Sequence, residues 1–396
     1  MNLYRLELKR VCKTRMTAIL LAIALVLAVV MAYLPVTFIG WTELDASGNE
    51  VRYTGLKAIR KRQEQQVSGT ITPDVMQEAL EAYQRVYRQY DANSINDIPV
   101  EVFYKELARY QPLVNNAKEA FADSKTGMAP GVMGLTAEDM QNFYSQLPKR
   151  LESVIWLEQS GKPGYEQAQA IAQKKFDAVQ KPFTYSFGVS SDAMDYQTLL
   201  SLLLTLLCAV IAAPVFASDA QTGAQDIQLC TKNGGLRLAA AKLAAAFSIT
   251  GAAYLLCGVV WILVTNALFG WESTQTSVQW LFSVTSLLPY TVGQMEWVML
   301  VANFLIFFAE VAFVLMASVW AKNNLTALSV ALISVVAPLI VYMVVPGSFG
   351  EWLSTLLPAG GIGLSNALLY KMISFDFLYA GGHAFFQADV LLASAP

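Results

Sequence analysis

Residues 16–38 read MTAILLAIALVLAVVMAYLPVTF, twenty-three positions without a charged side chain. A helix rises about 1.5 Å per residue and the hydrocarbon core of a bilayer is about 30 Å thick, so this run is long enough to cross. Arg5, Lys9, Arg10, Lys13 and Arg15 precede it and Trp41 follows. A secretory signal peptide has the same polarity, but its apolar part spans only about 7–15 residues and ends in a small-x-small site. The run here is longer and no such site closes it before Trp41, so it reads as a retained anchor. Four further runs, at 199–216, 243–268, 298–320 and 325–345, are nearly free of charge. They explain why the chain is 55% hydrophobic and only 14% charged.

The short loops set the expected orientation, because Lys and Arg are retained on the cytoplasmic side. The N-terminal basic segment, then Lys232, Arg237 and Lys242, then Lys322 fall on one side of the runs. The other side holds Lys371 against Glu272, Glu296, Glu351, Asp376 and Asp389. A multi-pass protein of the cell membrane with a cytoplasmic N-terminus is expected, with the lipid bilayer as its solvent. The net charge of −3 is sorted by side and gives no support for a nucleic-acid partner. Cys12 and Cys230 fall on the cytoplasmic side and Cys208 and Cys257 within runs, so the extracytoplasmic part holds together without disulfides.

Between the first two runs the composition changes, with 21 acidic and 17 basic residues across 43–195. Thr72-Pro73 reads as an N-cap followed by proline at the first helical position, and Thr136 with Asp139 as a capping box. Apolar residues recur at helical spacing behind them, as in Met76, Leu80, Tyr83 and Tyr87, then Phe143, Leu147, Leu151 and Ile155. Three to five helices in a bundle are expected, with a turn at 161–164 and an end at Lys181-Pro182. Trp41 is expected at the outer interface. Leu3, Leu6, Leu8 and Val11 suit either a short headgroup helix or a plain basic flank. The run 278–290 is too short to cross and is placed at the outer surface. A helix is expected over 364–378.

The fold expectation is therefore all-α: a polytopic helical membrane protein with a large external helical domain inserted between transmembrane helices 1 and 2. Its parts are 1–40 (N-terminal segment and first span), 41–195 (extracytoplasmic domain), 196–345 (spans two to five, with a cytoplasmic loop at 217–242) and 346–396. Five spans leave the last part outside. A sixth span is absent or only begun at 389–396, as a truncated chain would show.

No GxxxxGK[ST] loop occurs, there is no HExxH, and the single histidine, His383, makes neither a metal site nor a triad. Catalysis by this chain is not expected, nor is a metal. Glu310 is the carboxylate near the middle of a run, where a charged acid costs roughly 2.5–3.5 kcal/mol. It is read as facing an interface or cavity, either on a substrate or proton path or hydrogen-bonded to a neighbouring helix. Pro214 and Pro338 each remove an intrahelical hydrogen bond and are expected to kink their spans.

The order of elements resembles the membrane subunit of type-2 ABC exporters. The basic entry (Arg5 to Arg15), the long insertion and above all the loop after the second run carry the resemblance. That loop reads Phe216-Ala-Ser-Asp219-Ala-Gln-Thr-Gly223 and closes with Arg237 and Lys242. The family places a phenylalanine, an acid, a glycine, an arginine and a lysine here, with glutamate commoner than Asp219, and six spans rather than five. The resemblance implies that Phe216, Asp219, Gly223, Arg237 and Lys242 form an ATPase-coupling loop. It implies as partners an ABC ATPase subunit, which binds the ATP, and a second copy or a homologous permease, with no cofactor in this chain. Without it the loop reads as a solvated connector, and the whole as a membrane-anchored sensor or scaffold whose external domain binds a ligand. An intramembrane enzyme would need paired catalytic groups within spans.

Overall fold

The computed structural model describes residues 3–45 and 49–395. Helices α1 (Leu3–Cys12) and α2 (Arg15–Phe38) are followed by the hairpin β1 (Gly40–Leu44) and β2 (Glu50–Thr54). Next come α3 (Leu56–Gln65), β3 (Gly69–Thr70), α4 (Pro73–Gln89), α5 (Val100–Val102), α6 (Gln111–Ala120), α7 (Ala137–Gln141), α8 (Phe143–Gln159), α9 (Tyr165–Asp177) and β4 (Thr184–Tyr185). The chain returns through α10 (Ser191–Ala212), α11 (Pro214–Thr222), α12 (Ala224–Leu229), α13 (Leu236–Phe269), α14 (Val278–Leu281), α15 (Val292–Trp320) and α16 (Asn324–Val344). It closes with α17 (Gly347–Leu356), α18 (Leu368–Ile373), the hairpin β5 (Phe377–Ala380) and β6 (His383–Phe386), and α19 (Gln387–Ser394).

Five helices among the described residues are long and apolar enough to cross a membrane: α2, the α10–α11 rod, α13, α15 and α16. This is a multi-pass helical membrane protein. It is mostly rather than wholly α, because the described residues include three two-stranded antiparallel sheets. Their strands are two to five residues long, too short to impose a period of two on the sequence.

The bundle packs through small residues. Ala24, Ala28 and Ala32 recur every fourth position on α2 and are essentially inaccessible, while Leu25, Val26, Val29 and Val30 on its other side are exposed. Close approach of backbones is what holds helices together where lipid removes the hydrophobic drive. Gly258 on α13 serves the same end, since a Cβ there would sit 2.3 Å from Leu300 Cδ1 of α15.

The polar part is built from three stretches of chain, not from 41–195 alone. Tyr144 on α8 donates to the Ile71 carbonyl and accepts from the Phe183 amide, and Phe143 beside it stacks on Trp280 at 6.4 Å. The stretch 278–290, expected at a surface, thus supplies Val278 and Trp280 to this core. Gln159 of α8 donates to the Phe375 carbonyl at 2.6 Å and accepts from the Tyr379 hydroxyl at 2.9 Å. Lys175 of α9 pairs with Asp389 of α19 at 3.0 Å. The C-terminal stretch is therefore folded against α8 and α9. The segment 389–396, read as the onset of a span, lies in α19 as far as Ser394, and residue 396 is outside the described residues. The helix expected over 364–378 is shorter and gives way to β5 at Phe377. Trp41, expected at an interface, is a core residue, edge-on to Tyr104 with the Arg62 guanidinium over its ring.

Candidate functional site

Several helices extend beyond the apolar runs, and the extensions carry polar side chains with them. The third span begins at Leu236, so Arg237 and Lys242 lie inside α13 rather than in the loop ahead of it. The fourth begins at Val292, which takes Glu296 from a loop into α15. The second continues past Pro214 into α11, so Phe216 and Asp219 sit on a helix contiguous with the span. A run of uncharged residues marks the hydrocarbon-compatible part of a helix, not its ends, which extend wherever capping and packing allow.

Pro214 explains the join between α10 and α11. It has no amide hydrogen, so the ladder is interrupted and α11 starts afresh with proline in its first turn and Ala213 as an N-cap without a capping side chain. The cap comes from another helix. Ser318 Oγ on α15 accepts from the Phe216 and Ala217 amides, each at 3.1 Å, and donates to the Ala213 carbonyl at 2.6 Å. Ser318 is buried, and nothing in its local sequence announces the role. Pro338, the other predicted kink, is buried within α16. Pro35 lies inside α2 in the same way.

One turn beyond this cap, Asp219 draws four elements together. Its Oδ1 accepts from Arg10 Nη1 of α1 at 3.0 Å, and its Oδ2 accepts from the Lys242 ammonium of α13. Arg10 also donates to the Val215 carbonyl at 3.2 Å and pairs with Glu7 at 2.9 Å. Lys242 also donates to Gln228 Oε1 of α12 at 3.2 Å, and its ammonium lies 5.3 Å from the centre of the Phe216 ring. Glu7, Arg10, Asp219 and Lys242 thus form a charge-balanced chain of two acids and two bases. Lys242 is only 4% exposed and Asp219 7%, so neither charge is at home without the other.

Gly223 and Arg237, the other two residues expected in a coupling loop, do not join this cluster. Gly223 has φ of +71° and turns α11 into α12, a left-handed position where a side chain would be strained. Arg237 is exposed in the first turn of α13, with Asn233 Oδ1 3.4 Å from its guanidinium. What the cluster positions is α12, which exposes Ile227 (73%) and Leu229 (60%), with Leu236 (87%) at the start of α13. Beneath it, a largely apolar cavity of about 560 Å³ is lined by Phe216, Asp219, Lys242, Phe247 and Leu315.

Glu310 is fully buried in α15, where one oxygen accepts from the Ser334 hydroxyl of α16 and the other has no partner. The structure places it at the interface between α15 and α16. Among the described residues, no group of three or more His, Cys, Asp or Glu side chains is placed to hold a metal. His383 is exposed beside Gln167, with Nδ1 3.2 Å from its Oε1. No known protein family, curated protein or solved structure matches this chain.

Proposed function

We propose that this chain is the permease subunit of an ABC-type exporter, forming half of a transmembrane pathway and driven by separate cytoplasmic ATPase subunits. The observation that carries the reading is the bracing of α12. It is a six-residue helix with exposed aliphatic side chains, tied through Gln228, Lys242, Asp219 and Arg10 to α13, α11 and α1. Exposed apolar side chains on a short connector are what a partner surface covers, and a stiff connector is what transmits a push. The α11–α10 rod, held at its Pro214 join by Ser318, then offers a lever from α12 to the far end of the bundle.

In this reading the cluster end is cytoplasmic and the body built around α3–α9 is extracytoplasmic. The geometry is consistent with that assignment. Arg10 stands just before α2, β1 follows it directly, and 24 helical residues separate them by about 36 Å, the span of a bilayer. The ATPase would engage α12 and a second permease copy would complete the pathway. The external body would guide or gate cargo.

Purification of the full chain from its native membrane in mild detergent, followed by mass spectrometry, tests the reading. An ABC ATPase should co-elute, and Ile227→Asp should reduce its recovery at least about tenfold while leaving the permease folded, as loss of an anchor worth about 1.4 kcal/mol or more requires. Absence of any ATPase under these conditions would favour the membrane-anchored sensor instead.

A further inference from the structure

At the opposite end of the bundle from Asp219, the interior holds a polar cluster of another kind. Glu296 of α15 is fully buried. Its Oε2 accepts from Asn266 Nδ2 of α13 at 2.6 Å, and its main-chain carbonyl accepts from Gln197 Nε2 of α10 at 2.9 Å. Three helices therefore meet at one carboxylate residue. Asn266 Nδ2 has a second acceptor, the Ile262 carbonyl at 2.9 Å. The amide nitrogens are engaged and the oxygens are left over: Glu296 Oε1, Gln197 Oε1 and Asn266 Oδ1 are all buried without a hydrogen-bond partner. The hydroxyls of Thr198, which follows Gln197, and Thr265, which precedes Asn266, are unpartnered as well.

Two imbalances coincide there. The first is charge, because among the described residues no Lys, Arg or His side chain forms an ion pair with Glu296. The second is hydrogen-bond type, because the Glu296, Gln197 and Asn266 oxygens left over can only accept and no amide N–H of the three is spare to serve them. A buried carboxylate without compensation costs several kcal/mol, and each unpaired acceptor adds to that. Protonating Glu296 would cancel the charge but could serve only one of the acceptors. An ion with one positive charge and no acceptors of its own corrects both. Carboxylate, amide carbonyl and hydroxyl oxygens are the ligands that hard cations take. A single carboxylate matches a monovalent ion.

We propose that Glu296, Gln197 and Asn266 form the oxygen face of a binding site for a hard monovalent cation, sodium in the first instance, between α10, α13 and α15. The polar character continues along the bundle from the site. Asn303, seven residues further along α15, donates to Ser201 Oγ of α10 at 3.4 Å, and Glu310 follows seven residues later on nearly the same face. The site thus heads a polar stripe, and Ser201 stands one turn below Gln197. An ion bound there ties three spans at the end of the bundle remote from α12.

Thermal unfolding of the full-length protein in detergent tests this, with sodium chloride titrated against choline chloride at constant ionic strength. Sodium should raise Tm by roughly 3 °C or more, because a ligand of the folded state adds stability by mass action. Glu296→Gln should abolish the rise and Glu310→Gln should retain it. Should Glu296→Gln fail to fold, direct binding of radiolabelled sodium to the wild type, with loss in Gln197→Leu, serves instead. Equal melting in sodium and choline, or a sodium response that survives Glu296→Gln, would overturn the proposal. So would a protein that responds to pH alone, since a proton would then be neutralising the carboxylate.

Discussion

Asp219 and Glu296 are both buried carboxylates on helices of one bundle, and they are handled in opposite ways. Asp219 faces two cations of its own chain, Arg10 and Lys242, and both its oxygens are used. The Glu296 carboxylate accepts from a single amide, that of Asn266, and its other oxygen is unused. The first arrangement is closed: charge and hydrogen bonds balance within the fold, so the junction is a rigid tie. The second is open, and balance has to come from something that is not part of the chain. A closed cluster suits transmission of force and an open one suits binding.

The comparison breaks most visibly at Asp219. Asp219→Ala leaves the Lys242 ammonium buried without its acid and should cost about 3–5 kcal/mol, read as unfolding in detergent. Adding Lys242→Ala should recover part of the loss, because removing both partners of a buried pair is far less costly than removing one. Simple additivity of the two losses would show that the cluster is not the tie described here.

Ser318→Ala sharpens the same point at a smaller scale. It strands the Ala213 carbonyl and the Phe216 and Ala217 amides at the Pro214 break, for a cost of about 1–3 kcal/mol. Hydrogen exchange should accelerate at Phe216 and Ala217 and leave the amides of α13 unchanged. Uniform acceleration would mean that the cap holds the whole bundle rather than the α10–α11 joint.

The smallest effect is expected in the polar body, where ion pairs meet water. Hydrogen bonding from the Tyr53 hydroxyl, followed by the Lys61 ammonium 3.2 Å away, holds the Glu43 carboxyl below the ordinary carboxylate range. A carboxyl whose folded pKa is depressed contributes stability above its unfolded pKa and loses it as pH falls through the folded value. Glu43→Gln should therefore cost about 0–1 kcal/mol near neutrality, and nothing at a pH acid enough to protonate the carboxyl in both states. A titration of stability against pH for both proteins checks this.

The spans were legible because twenty consecutive apolar residues have few other uses, and Thr72 and Thr136 were legible as caps because capping is local. Asp219, Lys242 and Phe216 were visible only as members of a spacing pattern, and Arg10 only as one of five basic residues in the N-terminal segment. Nothing in the sequence joins Arg10 to Asp219, 209 positions away. Ser318 and Gln197 carried no signal, since a serine or glutamine in a helix reads alike whether it caps a broken neighbour or faces lipid. Glu296 was misplaced by the same reasoning that found the span, because a charged residue ends an apolar run even where the helix continues.

The sequence by itself determined which stretches are apolar enough to enter a bilayer and where a local cap such as Thr72 or Thr136 starts a helix, because hydrophobic length and side-chain capping are properties of adjacent residues. Only the tertiary structure decided which carboxylate would be closed and which left open. That choice depends on what the facing helices present at the same depth, and residues at one depth in an antiparallel bundle are far apart along the chain.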